Sequence, residues 1–473
     1  MRSALLLLLL PAFFLSGCAS SNKIKVDEKN FLSSEYAEIQ QYKSVEKRDY
    51  VQDTTLTFAV AIAGGGSRSS NFAKGVLLEL ENIPYHAGSN VLREVDYFST
   101  VSGGGHAAGA YIASLFEWNQ QHNGPYSFNT FYKNEYNDLK FKYKTQGIYA
   151  LFQRFPSNRS YKLEKRVDDH VLLHKNTGKS ILLSDLFVAN NSSTPVKYPM
   201  LIASATNQES KIQYPFSPDV LDAWELKSYH HRHKYVSSAS MASLPLSVAL
   251  VASGTVPLMV PPTVFQDAHG KYMRFVDGGL ADNTGVATAL HLLELNQDHV
   301  THNRKKLLVI EDTPGGVENS YTKKKGRNKY QIGDLIWYGL DSKYFTFYQD
   351  IEVYTKDLNS LKKNDHIDYN ILDFRTLLRE PEASVESLNM DIAKNVFNKD
   401  TVIDKNEVTS YLLEKYEAAI NVIPNLPDRK LLFEIVSHIP TKYEATDSER
   451  RILILAGRIV VRMQRGNIID LLK

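Results

Sequence analysis

The chain has 473 residues, with 55 Lys and Arg against 53 Asp and Glu, for a formal charge of +2. At about 150 residues per domain that length fits roughly two or three domains, and 43% hydrophobic with 23% charged residues excludes wholesale disorder. The near-neutral balance lacks the basic excess of a nucleic-acid-binding surface, and one cysteine cannot form an internal disulfide or a Cys-rich zinc site.

The first element is an address. Arg2 precedes an apolar run from Ala4 to Leu15, too short for a bilayer-spanning helix of about 20 residues and suited to a signal-peptide core. Leu15-Ser16-Gly17-Cys18 follows and resembles the lipobox of bacterial lipoproteins, with the single cysteine at the lipidated position. The plainer alternative is a cleaved signal peptide with an incidental cysteine. The lipobox resemblance implies removal of residues 1–17, lipidation (palmitate among the acyl chains) at Cys18, and anchoring in the bacterial cell envelope, because several acyl chains hold a protein where one does not. Ala19 after the cysteine resembles the outer-membrane sorting pattern, facing the periplasm or the surface. Polar residues 18–52 then read as a tether.

Next, Leu56–Ala63 is an apolar, β-prone run that ends at Gly64-Gly65-Gly66, and Phe72, Val76, Leu77 and Leu80 continue with helical spacing. Val95–Val101 is a second strand, running into Ser102-Gly103-Gly104-Gly105 and an Ala-rich helix from Ala107 to Trp118. Strand, tight turn and helix, repeated, predict an α/β fold on a mainly parallel sheet. Further strands are predicted at Met200–Ala205 and Leu307–Glu311, with Ala249–Pro262 and Tyr272–Val276 between them. Residues 119–199 read as an insertion able to form a lid. Beyond about residue 315, Glu407–Ile423, Lys430–Ile439 and Glu449–Met463 carry helical apolar spacing, which predicts a mostly helical C-terminal region, 316–473, after a main domain at 53–315.

Three segments can carry chemistry together. A serine at a strand-to-helix turn, Ser102, projects its Oγ above a sheet with the positive end of the following helix beneath it; alone it also reads as a helix N-cap. The three glycines at 64–66 leave backbone N–H groups able to converge on an anion. A P-loop would need G-K-[ST] there and a dinucleotide turn G-x-G-x-x-G, and neither pattern is present. Arg68 either orients this loop or sits near the anion. Asp277, before Gly278 and Gly279 and after the strand-like M-R-F-V, can place a carboxylate at a strand end as a base for the serine; alone it reads as an Asp-Gly turn.

Together these residues resemble the patatin-like phospholipases over about residues 55–315. That family uses a Ser–Asp dyad without histidine, a G-G-G-x-[RK] oxyanion loop, a G-x-S-x-G elbow and a D-G-[GA] aspartate. By position the resemblance implies Ser102 and Asp277 as catalytic, Gly64, Gly65, Gly66 and Arg68 as the oxyanion loop, and Gly103, Gly104, Gly278 and Gly279 as support for the elbow and the aspartate. A-S-G-T-V-P at 252–257 resembles a fourth block of the family. One departure is Thr100, where the elbow normally has glycine. The implied fold is a three-layer α/β/α sandwich with a mainly parallel central sheet. The implied activity is hydrolysis of carboxylic ester bonds in membrane phospholipids or other lipid esters, with no cofactor, no metal and no nucleic-acid partner.

The nearest enzymatic alternative is a Ser-His-Asp triad. His291, His299 and His302 follow Asp277 in chain order, and His106 lies one helical turn past Ser102. His230-His231-Arg232-His233 reads as an exposed loop before a metal site, and the basic run at 323–329 as a solvated loop or a contact with anionic headgroups. The non-enzymatic alternative is a patatin-like lipoprotein that binds lipid or a protein partner, with Thr100 as its main support.

Overall fold

In a computed structural model of the chain, the described residues are 53, 55–86, 88–121, 126–133, 159–172, 180–183, 185, 198–208, 213–217, 227–230, 235–236, 245–256, 260, 262–266, 272–295, 304–312, 367–381, 404–419 and 421–473. The N-terminal signal, Cys18, the tether, most of 119–199, His231, His233, His299, His302 and the basic run at 323–329 lie outside them. Among the described residues, no helix is long and apolar enough to cross a membrane.

β1 (Leu56–Ile62) is buried along its whole length, as a strand with neighbours on both edges and layers on both faces must be. Its alternate residues serve different layers: Phe58, Val60 and Ile62 join the larger apolar cluster, and Ala59 and Ala61 the smaller one on the other face. α1 (Gly66–Leu80) follows, then β2 (Tyr97–Val101) and α2 (Gly103–Gln121), so the two strand-turn-helix units fall where the sequence predicts them. α3 (Arg159–Val167) precedes β3 (Met200–Asn207), β4 (Gln213–Phe216), β5 (Lys227–His230) and β6 (Tyr235–Val236).

The stretch at Ala249–Pro262 begins inside a helix, α4 (Leu246–Ser253), mostly apolar and fully buried; an apolar run this short does not distinguish helix from strand by periodicity. β7 (Thr263–Gln266), β8 (Tyr272–Asp277), α5 (Val286–Leu295) and β9 (Arg304–Ile310) complete the main body. Among the described residues beyond 316 are four helices, α6 (Lys405–Tyr416), α7 (Leu426–Ser437), α8 (Asp447–Met463) and α9 (Arg465–Leu472), and an edge strand that apolar helical spacing did not predict, β10 (Ile367–Leu372).

The sheet runs β10-β9-β1-β2-β3-β8-β7-β5-β6, with β4 on β3. The five strands from β10 to β3 are parallel, while β8, β7, β5, β6 and β4 add antiparallel pairs. The sheet is therefore parallel at its centre and antiparallel in one wing. Helices cover both faces, with α5 on the smaller cluster and α1, α2, α4 and the C-terminal helices on the larger.

α8 lies directly against α1. A Cβ on Gly75 would collide with the Ile454 carbonyl, and one on Gly457 with the Phe72 carbonyl, so the two backbones touch only because glycine stands on each side. At one end of this contact Arg462 forks onto Glu79, with Nε 3.0 Å and Nη2 3.1 Å from its two carboxylate oxygens. Both side chains are buried, and a bidentate pair of this kind fixes geometry as well as adding attraction.

Candidate active site

Two strand ends meet on β3. Val101 pairs with Ser204 and Asp277 with Ala205, so β2, parallel to β3, and β8, antiparallel to it, deliver their C-terminal ends to adjacent residues. Ser102 follows β2 at φ 50°, the only non-glycine residue with positive φ among the described residues. Such a backbone is costly for a residue with a Cβ and points the side chain out of the turn. The Ser102 hydroxyl donates to Asp277 Oδ2 at 2.7 Å. Gly279 N–H donates to the other carboxylate oxygen at 2.8 Å. Both residues are buried, and burial raises the Asp277 carboxyl to about 6, against the opposing pull of the bonds from Ser102 and Gly279.

The block at 252–257 now has a defined task. Ser253 Oγ accepts the Ser102 N–H at 2.8 Å and donates to the Ser204 carbonyl at 2.5 Å, which ties the elbow to β3. Asp277 N–H donates to the Thr255 carbonyl at 3.0 Å. Thr100 is also accommodated: its hydroxyl donates to the Ile202 carbonyl at 3.0 Å, and its side chain packs over Gly105, so a β-branched residue fits where a glycine was expected.

The glycine loop divides its tasks unevenly. Gly64 N–H is already bonded to the Asn283 carbonyl at 2.8 Å and Ser67 N–H to the Lys442 carbonyl at 2.7 Å. The expected role of Gly64 as an oxyanion donor is therefore corrected to a structural one. The amides of Gly65 and Gly66 have no acceptor among the described residues. Gly66 has φ 62°, and its carbonyl lies so close to Gly103 that a Cβ there would collide with it. Loop and elbow are in backbone contact.

Arg68 points away from this centre. Its Nε donates to Asp312 at 2.7 Å and its guanidinium also reaches the Ile439 carbonyl at 3.1 Å. Asp312 in turn lies against Gly65. Of the two readings open in the sequence, the geometry matches orientation of the loop, and Arg68 is not an oxyanion donor here. His106 lines the cavity from α2; burial first, and Lys74 second, push it down to about 3, so it is neutral at pH 7. His291 lies in α5. The Ser102 proton is thus directed at a carboxylate.

Ser102 opens onto a cavity of about 830 Å3, its open mouth included. Part of its wall comes from the C-terminal region: Tyr443, Ala445, Asp447 and Arg450. Tyr443 donates to the Gly254 carbonyl at 2.7 Å and accepts the Val256 N–H at 3.1 Å. It thereby clamps the segment that holds Asp277. Tyr443→Phe removes both bonds and leaves the Val256 N–H with the Gly254 carbonyl at 3.0 Å, and an expected loss of about 0.5–1.5 kcal/mol in stability is measurable by denaturant unfolding. Sequence reading missed Ser253, Asn283, Asp312, Tyr443 and Arg450; only Ser253 carried a signal, as part of the A-S-G-T-V-P block. Among the described residues, no group of three or more His, Cys, Asp or Glu is placed to hold a metal.

A comparison with curated proteins gives no match. Among solved structures, the chain is similar to human GIVD cytosolic phospholipase A2, at 10% identity and a TM-score of 0.39, covering 94% of this chain and 64% of that one. It is also similar to the same human enzyme in complex with methyl gamma-linolenyl fluorophosphonate, at 11% identity and a TM-score of 0.42, covering 94% of this chain and 63% of that one. The chain spans less than two thirds of the length of these proteins. The model of the patatin-like phospholipase family matches residues 60–290, a segment holding the glycine loop, Ser102, the 252–257 block and Asp277. The chain carries a patatin-like phospholipase domain, and the sheet with its nucleophile turn is the patatin fold.

Proposed function

We propose that this protein is a membrane-anchored serine lipid acyl hydrolase, of phospholipase A, lysophospholipase or esterase type, working through a Ser102–Asp277 dyad. The observation that carries the proposal is the 2.7 Å bond from the Ser102 hydroxyl to Asp277 at a strained turn facing the cavity. Asp277 takes the Ser102 proton as Oγ bonds to the ester carbonyl carbon. The carbonyl oxygen becomes an oxyanion facing the Gly65 and Gly66 amides, each such donor being worth about 10²–10³ in rate. Collapse expels the alcohol, which leaves with the proton from Asp277, and an acyl-enzyme remains. Asp277 then deprotonates a water that attacks the acyl carbon and releases the fatty acid and Ser102. Lipidation at Cys18 suits this chemistry, because an anchored enzyme stays at the surface that holds its substrate.

Labelling of the detergent-solubilised protein with a fluorophosphonate tests the proposal. The expected label falls on Ser102, disappears in Ser102→Ala and weakens strongly in Asp277→Asn. A folded parent that takes no label would remove the mechanism and return the reading to a lipid- or protein-binding module.

A further inference from the structure

The cavity at Ser102 carries cations that the dyad does not use. Lys74, on α1, and Arg450, in the first turn of α8, both line the Ser102 cavity. The helices that bear them are locked together by the Gly75 and Gly457 backbone contacts, so their side chains emerge from a rigid base. Lys74 makes no hydrogen bond or ion pair among the described residues. Arg450 has Asp447, a half-exposed carboxylate, at 3.7 Å. Asp447 is also the only acidic residue on the described cavity wall, which leaves that wall with a net positive charge. Ser67 Oγ, on the same wall, is buried with no hydrogen-bond partner among the described residues.

We propose that Lys74, Arg450 and the Ser67 hydroxyl form an anion subsite that takes the phosphate of a lipid headgroup while the acyl ester lies at Ser102. This rests on the hydrolase reading above and deepens it. Burial, and then the neighbouring Arg450 guanidinium, bring Lys74 down to about 8. That is the response of an ammonium held beside a second cation in a desolvated place, and an anion between the two relieves both penalties. A point-charge ammonium and a forked guanidinium together suit the several oxygens of a phosphate. Arg450 and Asp447 lie outside residues 60–290, so the C-terminal helices contribute selectivity to a dyad built elsewhere.

The test compares kcat/KM on 1-oleoyl lysophosphatidic acid and on 1-oleoylglycerol, which differ only in the phosphate, for the full chain in neutral detergent micelles. The parent is expected to favour the phosphate-bearing lipid. In Lys74→Gln and Arg450→Gln the ratio is expected to fall about tenfold or more through KM, as loss of a charged hydrogen bond to an anion implies. Lys74→Arg keeps the charge and holds the ratio. Fluorophosphonate labelling of each variant shows that Ser102 is still assembled. Retained labelling with an unchanged ratio would overturn the subsite and leave the hydrolase reading standing. A second arm measures the thermal shift given by inorganic phosphate: a shift that Lys74→Gln abolishes, without any change in lipid ratio, identifies a site for free phosphate and overturns the headgroup assignment. If the parent takes no label, the hydrolase reading fails by itself. In that case the phosphate shift alone decides, its abolition in Lys74→Gln supporting an anion subsite and its absence in the parent overturning it.

Discussion

Asp277→Asn is expected to lower kcat by about 10⁴, the scale seen when a carboxylate that orients or serves a catalytic base is made neutral. The loss is expected in kcat rather than KM, because Asp277 meets the substrate only through the proton of Ser102. The same variant should be more stable than the parent at pH 7. Burial raises the Asp277 carboxyl from the ordinary carboxylate value to about 6 in the folded protein, so between about pH 4 and pH 6 the folded state binds the proton more tightly than the unfolded chain. Stability from this group is present at low pH and is lost as pH rises through 6. By pH 7 the buried carboxylate is charged at a cost of up to about 3 kcal/mol, the equivalent of a two-unit shift, and asparagine removes that cost. Activity runs the other way. The parent's kcat/KM on an uncharged ester is expected to rise with pH along a limb with an apparent pKa of about 6, because only the ionised carboxylate accepts the serine proton. A pH–rate profile with no acid limb near 6, or an Asp277→Asn protein that retains turnover, would contradict the assignment.

Gly457→Val is expected to have the largest effect on stability. Its side chain would enter the Phe72 carbonyl and approach the Val76 nitrogen at 2.8 Å. Both are main-chain atoms of α1, which cannot rotate aside as a side chain can. The helices must separate, opening the packing of Phe72, Val76, Ala456 and Val460, all buried. A loss of about 3–5 kcal/mol is expected, in the range of severe core disruption, visible as a lowered melting temperature. The effect should reach the dyad as well. α1 begins at the glycine loop, and Ser67 N–H is bound to Lys442, a few residues before α8, so displaced helices shift the Gly65 and Gly66 amides. Fluorophosphonate labelling of Gly457→Val at a temperature where it remains folded is expected to be slower than in the parent. Labelling at the parent rate would show that the helix contact supports stability alone.

The parts of this protein that its sequence determined are local ones. A β-prone run broken by three glycines, a serine directly after a short strand, and an aspartate before two glycines each encode strand, turn and helix within about fifteen residues. The pieces therefore appear in the chain as clearly as in the fold. The unbroken apolar run of β1 likewise fits a strand covered on both faces. Tertiary structure decided everything that depends on partners far along the chain. G-G-G-x-R does not say where its arginine turns, and only the approach of Asp312 and the Ile439 carbonyl directs Arg68 away from Ser102. Three adjacent glycines look equivalent, until the Asn283 carbonyl occupies one amide and leaves the next two without an acceptor among the described residues. Thr100 looked like damage to the elbow, and the Ile202 carbonyl from the neighbouring strand gives its hydroxyl a bond. The C-terminal helices showed apolar spacing without a destination. Their docking on α1 depends on two glycines 382 positions apart meeting in space, a coincidence no local pattern encodes, and it brings Tyr443 and Arg450 to the cavity of Ser102.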